Sequence, residues 1–209
     1  MAAEAAPFKV SSLSGKVALV TGASSGIGAS TSILFAKLGV KLALNGRDVE
    51  NLIKTAKQCK DAGQHEPLLV PGDLTDEDTV KKTIEKTIDH YGRLDVLVNS
   101  AGILVMGSIE TTNMEQYDRV MNTNVRSVYH LTHLAVPHRI NSKGCIVNVS
   151  SVNGQRSFLE KCKETDALGR PGEVDEVAQA IAFLSSDAAS FITGVNLPVA
   201  VGRHAMCPR

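Results

Sequence analysis

The chain has 209 residues, 43 % of them hydrophobic and 21 % charged, a profile that suits one soluble, well-cored α/β domain and excludes a disordered chain. Lysine plus arginine and aspartate plus glutamate number 22 each, so no net positive field draws nucleic acid or an anionic membrane surface. No uninterrupted apolar run reaches membrane-spanning length, and the N-terminal MAAEAAPFKVSSLSGK has neither the apolar core of a secretory signal nor the arginines of a transit peptide. The expectation is a cytoplasmic protein, a single domain over 1–209, with 1–12 as a flexible N-terminus.

In chain order, short apolar runs alternate with longer helical patterns, the signature of βαβ units and a parallel sheet. Lys16 to Thr21 reads as strand one, followed by a glycine-rich turn and a helix ending near Gly39. Lys41 to Asn45 reads as strand two, Arg47 to Ala62 as a polar helix, and Leu68 to Val70 as strand three, closed by Pro71, Gly72 and Asp73. Thr75 and Asp78 suggest an acidic capping box, after which Val80, Ile84 and Ile88 share a helical face. Arg93 to Asn99 is strand four, Glu115 to about Val136 a long helix, and Gly144 to Val149 strand five. Beyond Ser151 the rhythm breaks, leaving one expected helix, Val174 to Ser185, and one expected strand, Ile192 to Val199.

Thr21 to Gly28, TGASSGIG, places glycines at 22, 26 and 28 between a strand and a helix. Glycine there admits positive φ, lets a pyrophosphate approach the backbone, and lets helix and strand pack closely, while the helix N-terminus offers free N–H groups to phosphate. The alternative is a tight turn with no ligand. At the end of strand two, dinucleotide folds that use NAD place an acid against the adenosine ribose, and this chain has Asn45, Gly46, Arg47 before any acid. A guanidinium at Arg47 suits a 2′-phosphate, which favours NADP over NAD; the alternative is a solvated helix-start residue.

TGASSGIG, Asp73, NSAG at Asn99 to Gly102, Asn124 within NTNV, and VSS ending at Ser151 together resemble the short-chain dehydrogenases/reductases, in their 3-oxoacyl-ACP reductase-like branch. GRPGEVDEVAQAIAFLSSDAASFITGVNLPV resembles that family's last helix and strand. The resemblance implies a Rossmann-like doubly wound parallel sheet. It also implies an NADP(H)-dependent oxidoreductase that reduces a small-molecule carbonyl or oxidises an alcohol. Gly22, Ser24, Ser25, Gly26, Ile27 and Gly28 would line the pyrophosphate, Asp73 and Leu74 would meet adenine, and Asn99, Ala101 and Gly102 would support sheet and cofactor. Asn124 would hold a helix kink and feed a proton relay, and Ser151 would orient the substrate carbonyl.

The same resemblance calls for Tyr-x-x-x-Lys after Ser151, because a carbonyl that accepts hydride must also receive a proton, and a nearby lysine lowers the phenol's pKa. The last tyrosine of this chain is Tyr129. NGQRSF, ending at Phe158, resembles the stretch before the catalytic helix, and LEKCKETDALGRPG, from Leu159, resembles the far end of the substrate flap. The catalytic helix and one strand are thus expected to be missing between them, through a skipped exon, a truncated gene model or a deletion. Three outcomes stay open: an impaired oxidoreductase, an inactive nucleotide- or partner-binding variant that forms homo-oligomers or pairs with full-length relatives, and a non-functional splice or truncation product. His130, His133 and His138 lack a matching acid or cysteine and read as a polar helix stripe, so no metal is expected. Cys59, Cys145, Cys162 and Cys207 form no C-x-x-C pair and read as buried thiols, with the last two the candidates for exposure. A last departure is Val199 to Gly202, where the family pattern has an acid and two glycines.

Overall fold

A computed structural model describes residues 13–151, 170 and 172–199. The expected N-terminus 1–12, the Phe158–Leu159 junction, Cys162, Cys207 and residues 200–202 lie outside them. Five strands form one parallel sheet: β1 (Val17–Val20), β2 (Lys41–Leu44), β3 (Leu68–Leu69), β4 (Val96–Asn99) and β5 (Cys145–Asn148), in the order β3-β2-β1-β4-β5. The chain leaves β1 toward β2 on one side and returns to β4 on the other, so the strand order reverses between β1 and β4. A crevice forms at such a reversal, at the carboxyl ends of the strands.

The strands are almost continuously apolar because both faces are covered. Ala18, Val20, Leu42, Leu44, Val96 and Val98 point to one face, where α1 (Gly26–Lys37) brings Phe35 and Ala36 and α2 (Val49–Ala62) brings Leu52 and Cys59. The alternate residues Leu19, Ala43 and Leu97 point to the other face, against Val80 and Ile84 of α3 (Glu77–Tyr91) and, further along the chain, Leu131 and Ala135. This period-two division is what a β-register imposes. Burial pushes the Cys59 thiol up to about 12, which leaves it an inert core side chain.

The long helix expected over Glu115 to Val136 is larger and interrupted. It starts as α4 (Met114–Met121), passes through a π-turn at Asn122–Arg126, and continues as α5 (Ser127–Ser142). It runs on past the expected end near Val136 with Pro137 inside α5, and stops at Lys143 in the left-handed region with φ 51°. Helix α6 (Val174–Ser185) lies on the α1 face, where Ile181 and Ala182 join the core with Val147 of β5 packed beside them. Ser30 of α1 donates to Asp175 of α6 at 2.5 Å, and Lys16 pairs with Asp187 at 2.7 Å just past α6.

Two expectations are corrected. Thr75 does not cap α3: Asp76 does, accepting the Thr79 N–H at 2.8 Å, while the Thr75 hydroxyl turns back to donate to Asp73. A carboxylate one residue nearer the helix is the better acceptor for its orphan N–H groups. The strand expected over Ile192 to Val199 is also absent, and among the described residues β5 is the last strand of the sheet. Gly194 takes φ 63°, which breaks the extended run in its middle, and Pro198 has no N–H to give a ladder. Val195, Leu197 and Val199 therefore stay 42–54 % exposed.

Asp95 ties the opposite end of the sheet together. Its carboxylate, 3 % exposed, accepts the Val17 N–H at 2.8 Å and the Arg93 guanidinium, and its carbonyl accepts the Cys145 N–H at 3.0 Å. Asp95→Ala is expected to lower stability by about 1–3 kcal/mol, the cost of stranding a buried donor, measured by urea denaturation of the variant beside the parent. A change under about 0.5 kcal/mol would show that Val17 finds another acceptor or water.

Candidate functional site

The crevice at the strand reversal is an open cleft of about 440 Å³. The β1–α1 turn supplies Gly22, Ser24, Ser25, Gly26 and Ile27; the end of β2 supplies Asn45 to Asp48; the end of β3 supplies Gly72, Asp73 and Leu74. The far wall is Ser100, Ala101 and Gly102 after β4, Thr123 and Ser127 of the long helix, and Val149 after β5.

The turn is built for close approach. Gly22 sits at φ 66°, and a Cβ there would stand 2.8 Å from the Ser100 carbonyl oxygen and 2.9 Å from the Ala101 nitrogen. Gly26 sits at φ 54° with open space where its Cβ would be. Gly28 is buried beneath the turn, where a Cβ would meet the Gly22 carbonyl, so it sets helix–strand packing and does not line the cleft. The start of α1 differs from that of its neighbours. Asp48 caps α2, Asp76 caps α3 and Asn113 caps α4, whereas Ser25 makes no side-chain cap bond and the first turn of α1 has no acid. Its N–H groups and positive dipole end thus face the cleft without an internal anion. The buried Ser24 hydroxyl in the same turn has no partner. Uncapped amides, an orphan hydroxyl and a glycine cradle are the donor set of a phosphate site.

At the β2–β3 end, Arg47 lies 3.5 Å from Asp73, both side chains about half exposed. Partial burial acts to raise the Asp73 carboxyl. Bonds from the Thr75 backbone and hydroxyl, with Arg47, outweigh it and hold the group below its ordinary value. An exposed pair of this kind contributes about 0–1 kcal/mol, so Arg47 can leave Asp73 for a stronger anion at little cost. Asn45, 1 % exposed, donates to the Val70 carbonyl at 2.9 Å and fixes the β2 end against β3.

Of the residues singled out from the sequence, Gly22, Ser24, Ser25, Gly26, Ile27, Arg47, Asp73, Leu74, Ala101 and Gly102 meet in this cleft. Asn99, Asn124 and Ser151 do not line it, and the two asparagines have structural duties. Asn99 is 3 % exposed and donates to Asn148 at 2.8 Å and Thr132 at 3.2 Å, bracing β4 to β5 and α5. Asn124, in the π-turn, accepts the Ile103 N–H and donates to the Ile103 carbonyl, both at 2.8 Å, which pins the loop after β4. Ser151 is exposed beyond the end of β5. The sequence reading missed Thr123 and Ser127, whose signal was their position one residue before and three after Asn124 on a helix. It also missed Gly46, packed so closely on Ser24 that a side chain there would displace it.

Among the described residues, no helix is long and apolar enough to cross a membrane, and no cluster of three or more histidine, cysteine or acidic side chains could hold a metal ion.

The comparisons agree with the geometry. The family model described as short chain dehydrogenase matches residues 16–162, and one described as Enoyl-(Acyl carrier protein) reductase matches residues 152–204. The chain is 34 % identical over 235 aligned positions to the 3-oxoacyl-[acyl-carrier-protein] reductase FabG of Thermotoga maritima, covering 87 % of this chain and 95 % of that protein. It is 29 % identical over 241 positions to the meso-2,3-butanediol dehydrogenase of Serratia marcescens, covering 91 % and 95 %. Among solved structures it resembles the apo-form glucose dehydrogenase of Caenorhabditis elegans with a TM-score of 0.82 at 30 % identity, over 92 % of this chain and 99 % of that one. An NADH-dependent reductase complexed with NAD matches with a TM-score of 0.82 at 27 % identity, over 96 % and 100 %. A glycine-cradled crevice at the reversal of a parallel sheet, matched over most of the chain, makes this protein a member of the short-chain dehydrogenase/reductase family of oxidoreductases, which bind nicotinamide cofactors and act on small molecules.

Proposed function

We propose that this chain binds NADP(H) in the cleft and is impaired in the carbonyl reduction or alcohol oxidation of its family. The observation that carries the impairment is the absence of any tyrosine after Tyr129. The alignment to the Thermotoga reductase supports the same reading: 87 % of 209 residues, about 182, are spread over 235 positions, so about fifty positions have no residue from this chain.

When bound, the cofactor supplies or accepts the hydride. The uncapped start of α1 with Ser24 and Gly26 would hold the pyrophosphate, and Arg47 would grip the 2′-phosphate through its planar fork. Asp73 and Leu74 would flank the adenine. Asn124 positions the loop after β4, and Ser151 would orient a substrate carbonyl. No described residue offers that carbonyl a phenol, so the proton that must follow hydride has no donor of the family's kind. Ser151 and Asn124 thus remain as parts of an incomplete site. A cytoplasmic location and a single domain fit this reading.

Arg47→Glu tests the cofactor assignment. Removing a charge-assisted phosphate contact is expected to weaken NADPH binding by about ten- to hundredfold while changing NADH binding little, measured by isothermal titration. Equal losses for both nucleotides, or none for NADPH, would contradict the role of Arg47.

A second reading has its own observation. Met114, Tyr117, Met121, Val125, Tyr129 and Ile140 on the long helix are 36–73 % exposed, and after α6 Phe191, Ile192, Val195, Leu197 and Val199 are exposed as well. So much exposed apolar surface favours self-association or pairing with a longer relative over an isolated monomer, and an unstable product if no partner is found. Sedimentation velocity of the purified chain separates these outcomes.

A further inference from the structure

Beyond the nucleotide reading and independent of it, we infer that the chain has a second ligand site, a receptor for a small phosphorylated anion at the opposite end of the sheet. There, beside the amino ends of β4 and β5, α3 and α5 both terminate. They leave a cleft of about 440 Å³ lined by Gly92, Arg93, His138, Asn141, Ser142 and Lys143. It shares none of these residues with the cleft at the carboxyl ends of the strands, where open parallel sheets ordinarily hold their ligands.

The side chains of this cleft are rich in donors. Arg93 commits Nε and Nη2 to the Asp95 carboxylate, at 2.9 and 2.5 Å, which orients the guanidinium and leaves Nη1 for a ligand. Lys143, which ends α5, adds an ammonium, and His138 and Asn141 add a ring nitrogen and an amide. The Ser142 hydroxyl is already used, donating to the Leu94 carbonyl at 2.6 Å and tying α5 to the start of β4. Between His138 and Asn141 in sequence, Arg139 turns inward. It is 5 % exposed, its guanidinium donates to the Asp95 carbonyl, and its Nε has no partner. A Cβ at Gly144 would overlap that guanidinium, so the glycine is what admits it. Burial pushes the Arg139 pKa down, the effect of holding a cation away from water, and the nearby Cys145 and Asp95 oppose it only in part. Three permanent cations, Arg93, Arg139 and Lys143, thus surround one buried carboxylate, Asp95. Asp89, exposed in the last turn of α3, offsets at most one of them. Cations at helix ends ordinarily answer the terminal carbonyls. Here the Arg139 and Ile140 carbonyls already accept the Lys143 N–H, and the Ile88 carbonyl accepts the Gly92 N–H at 2.7 Å. The positive charge exceeds what the fold consumes, and an arginine fork beside a lysine is a donor pair that takes phosphate.

Pyrophosphate titrated into the whole ¹⁵N-labelled chain, followed by amide NMR shifts, tests this and reads the two clefts separately. The expected result is saturable shifts at Gly92, Arg93, Asn141, Lys143 and Gly144 with a Kd of about 1 mM or tighter. Lys143→Gly keeps the left-handed turn and removes the ammonium, and is expected to weaken that Kd at least about fivefold while any response at Gly22 to Gly26 stays as it was. Lys143→Asn, which also accepts the left-handed region, gives the same reading if the glycine variant does not fold. Shifts at Gly92 and Lys143 that do not saturate by about 20 mM, or a Kd that neither variant changes, would overturn the inference and show an adventitious ion only. A response confined to Gly22 to Gly26 would also overturn it and leave the nucleotide reading standing.

Discussion

Purified chain, supplied with NADPH and a panel of ketones and aldehydes, is expected to oxidise the cofactor at the protein-free background rate. The reasoning is energetic. Loss of a positioned general acid alone costs about 10²- to 10⁴-fold in rate, and without a Tyr-x-x-x-Lys pair this chain also lacks the cation that would tune such an acid. Tyr129 does not replace it: it is 73 % exposed, and its ring stacks on His133 at 6.2 Å, on a helix face other than the one that brings Thr123 and Ser127 to the cleft. Steady-state absorbance at 340 nm reads the outcome. Turnover above background that disappears in Ser151→Ala would contradict the proposed impairment, because it would show a working site built around that serine.

Phe35→Ala is expected to cost about 3–5 kcal/mol, the range for removing a fully buried aromatic ring. Phe35 is 0 % exposed and packs where α1 meets the β1, β2 and β4 face of the sheet. Whole domains are stable by about 5–15 kcal/mol, so the variant should unfold about 6–20 °C lower or lose its cooperative transition. Differential scanning calorimetry decides it, and a shift below about 2 °C would mean that this face of the sheet is not the principal core. The effect exceeds that expected at Asp95, because a cavity in close-packed interior has no water to refill it, whereas the Val17 N–H can recover part of its loss from solvent.

The glycine turn between β1 and α1 was legible in the sequence because its geometry restricts residue choice. Few residues other than glycine accept φ 66° at position 22 with three backbone atoms under 3 Å from any Cβ, so the need is written in the residue itself. The strands were legible because a parallel sheet covered on both faces must be apolar throughout, as at Val17–Val20 and Val96–Asn99. Ile192 to Val199 misled for the complementary reason. Its apolar alternation at 195, 197 and 199 is a real strand signal, but pairing also needs a free neighbouring edge and an uninterrupted extended backbone, and Gly194 turns at φ 63°. Asn99 and Asn124 were recognised as positions and not as contacts. That Asn99 reaches Asn148, or Asn124 reaches Ile103, depends on which elements the fold stacks together, and neither partner is local in sequence. The Asp95 hub was invisible for the same reason, since it joins three strands across 50 and 78 residues.

The central claim is that a folded nucleotide cleft persists without the family's complete catalytic apparatus, and thermal denaturation of the 209-residue chain with and without NADPH, beside NADH, tests it most directly. A ligand that binds only the native state must stabilise it, by about 2.7 kcal/mol at a hundred times its Kd. The account predicts one cooperative transition, raised by NADPH more than by NADH. A chain with no cooperative transition, or one that neither nucleotide shifts, would contradict it.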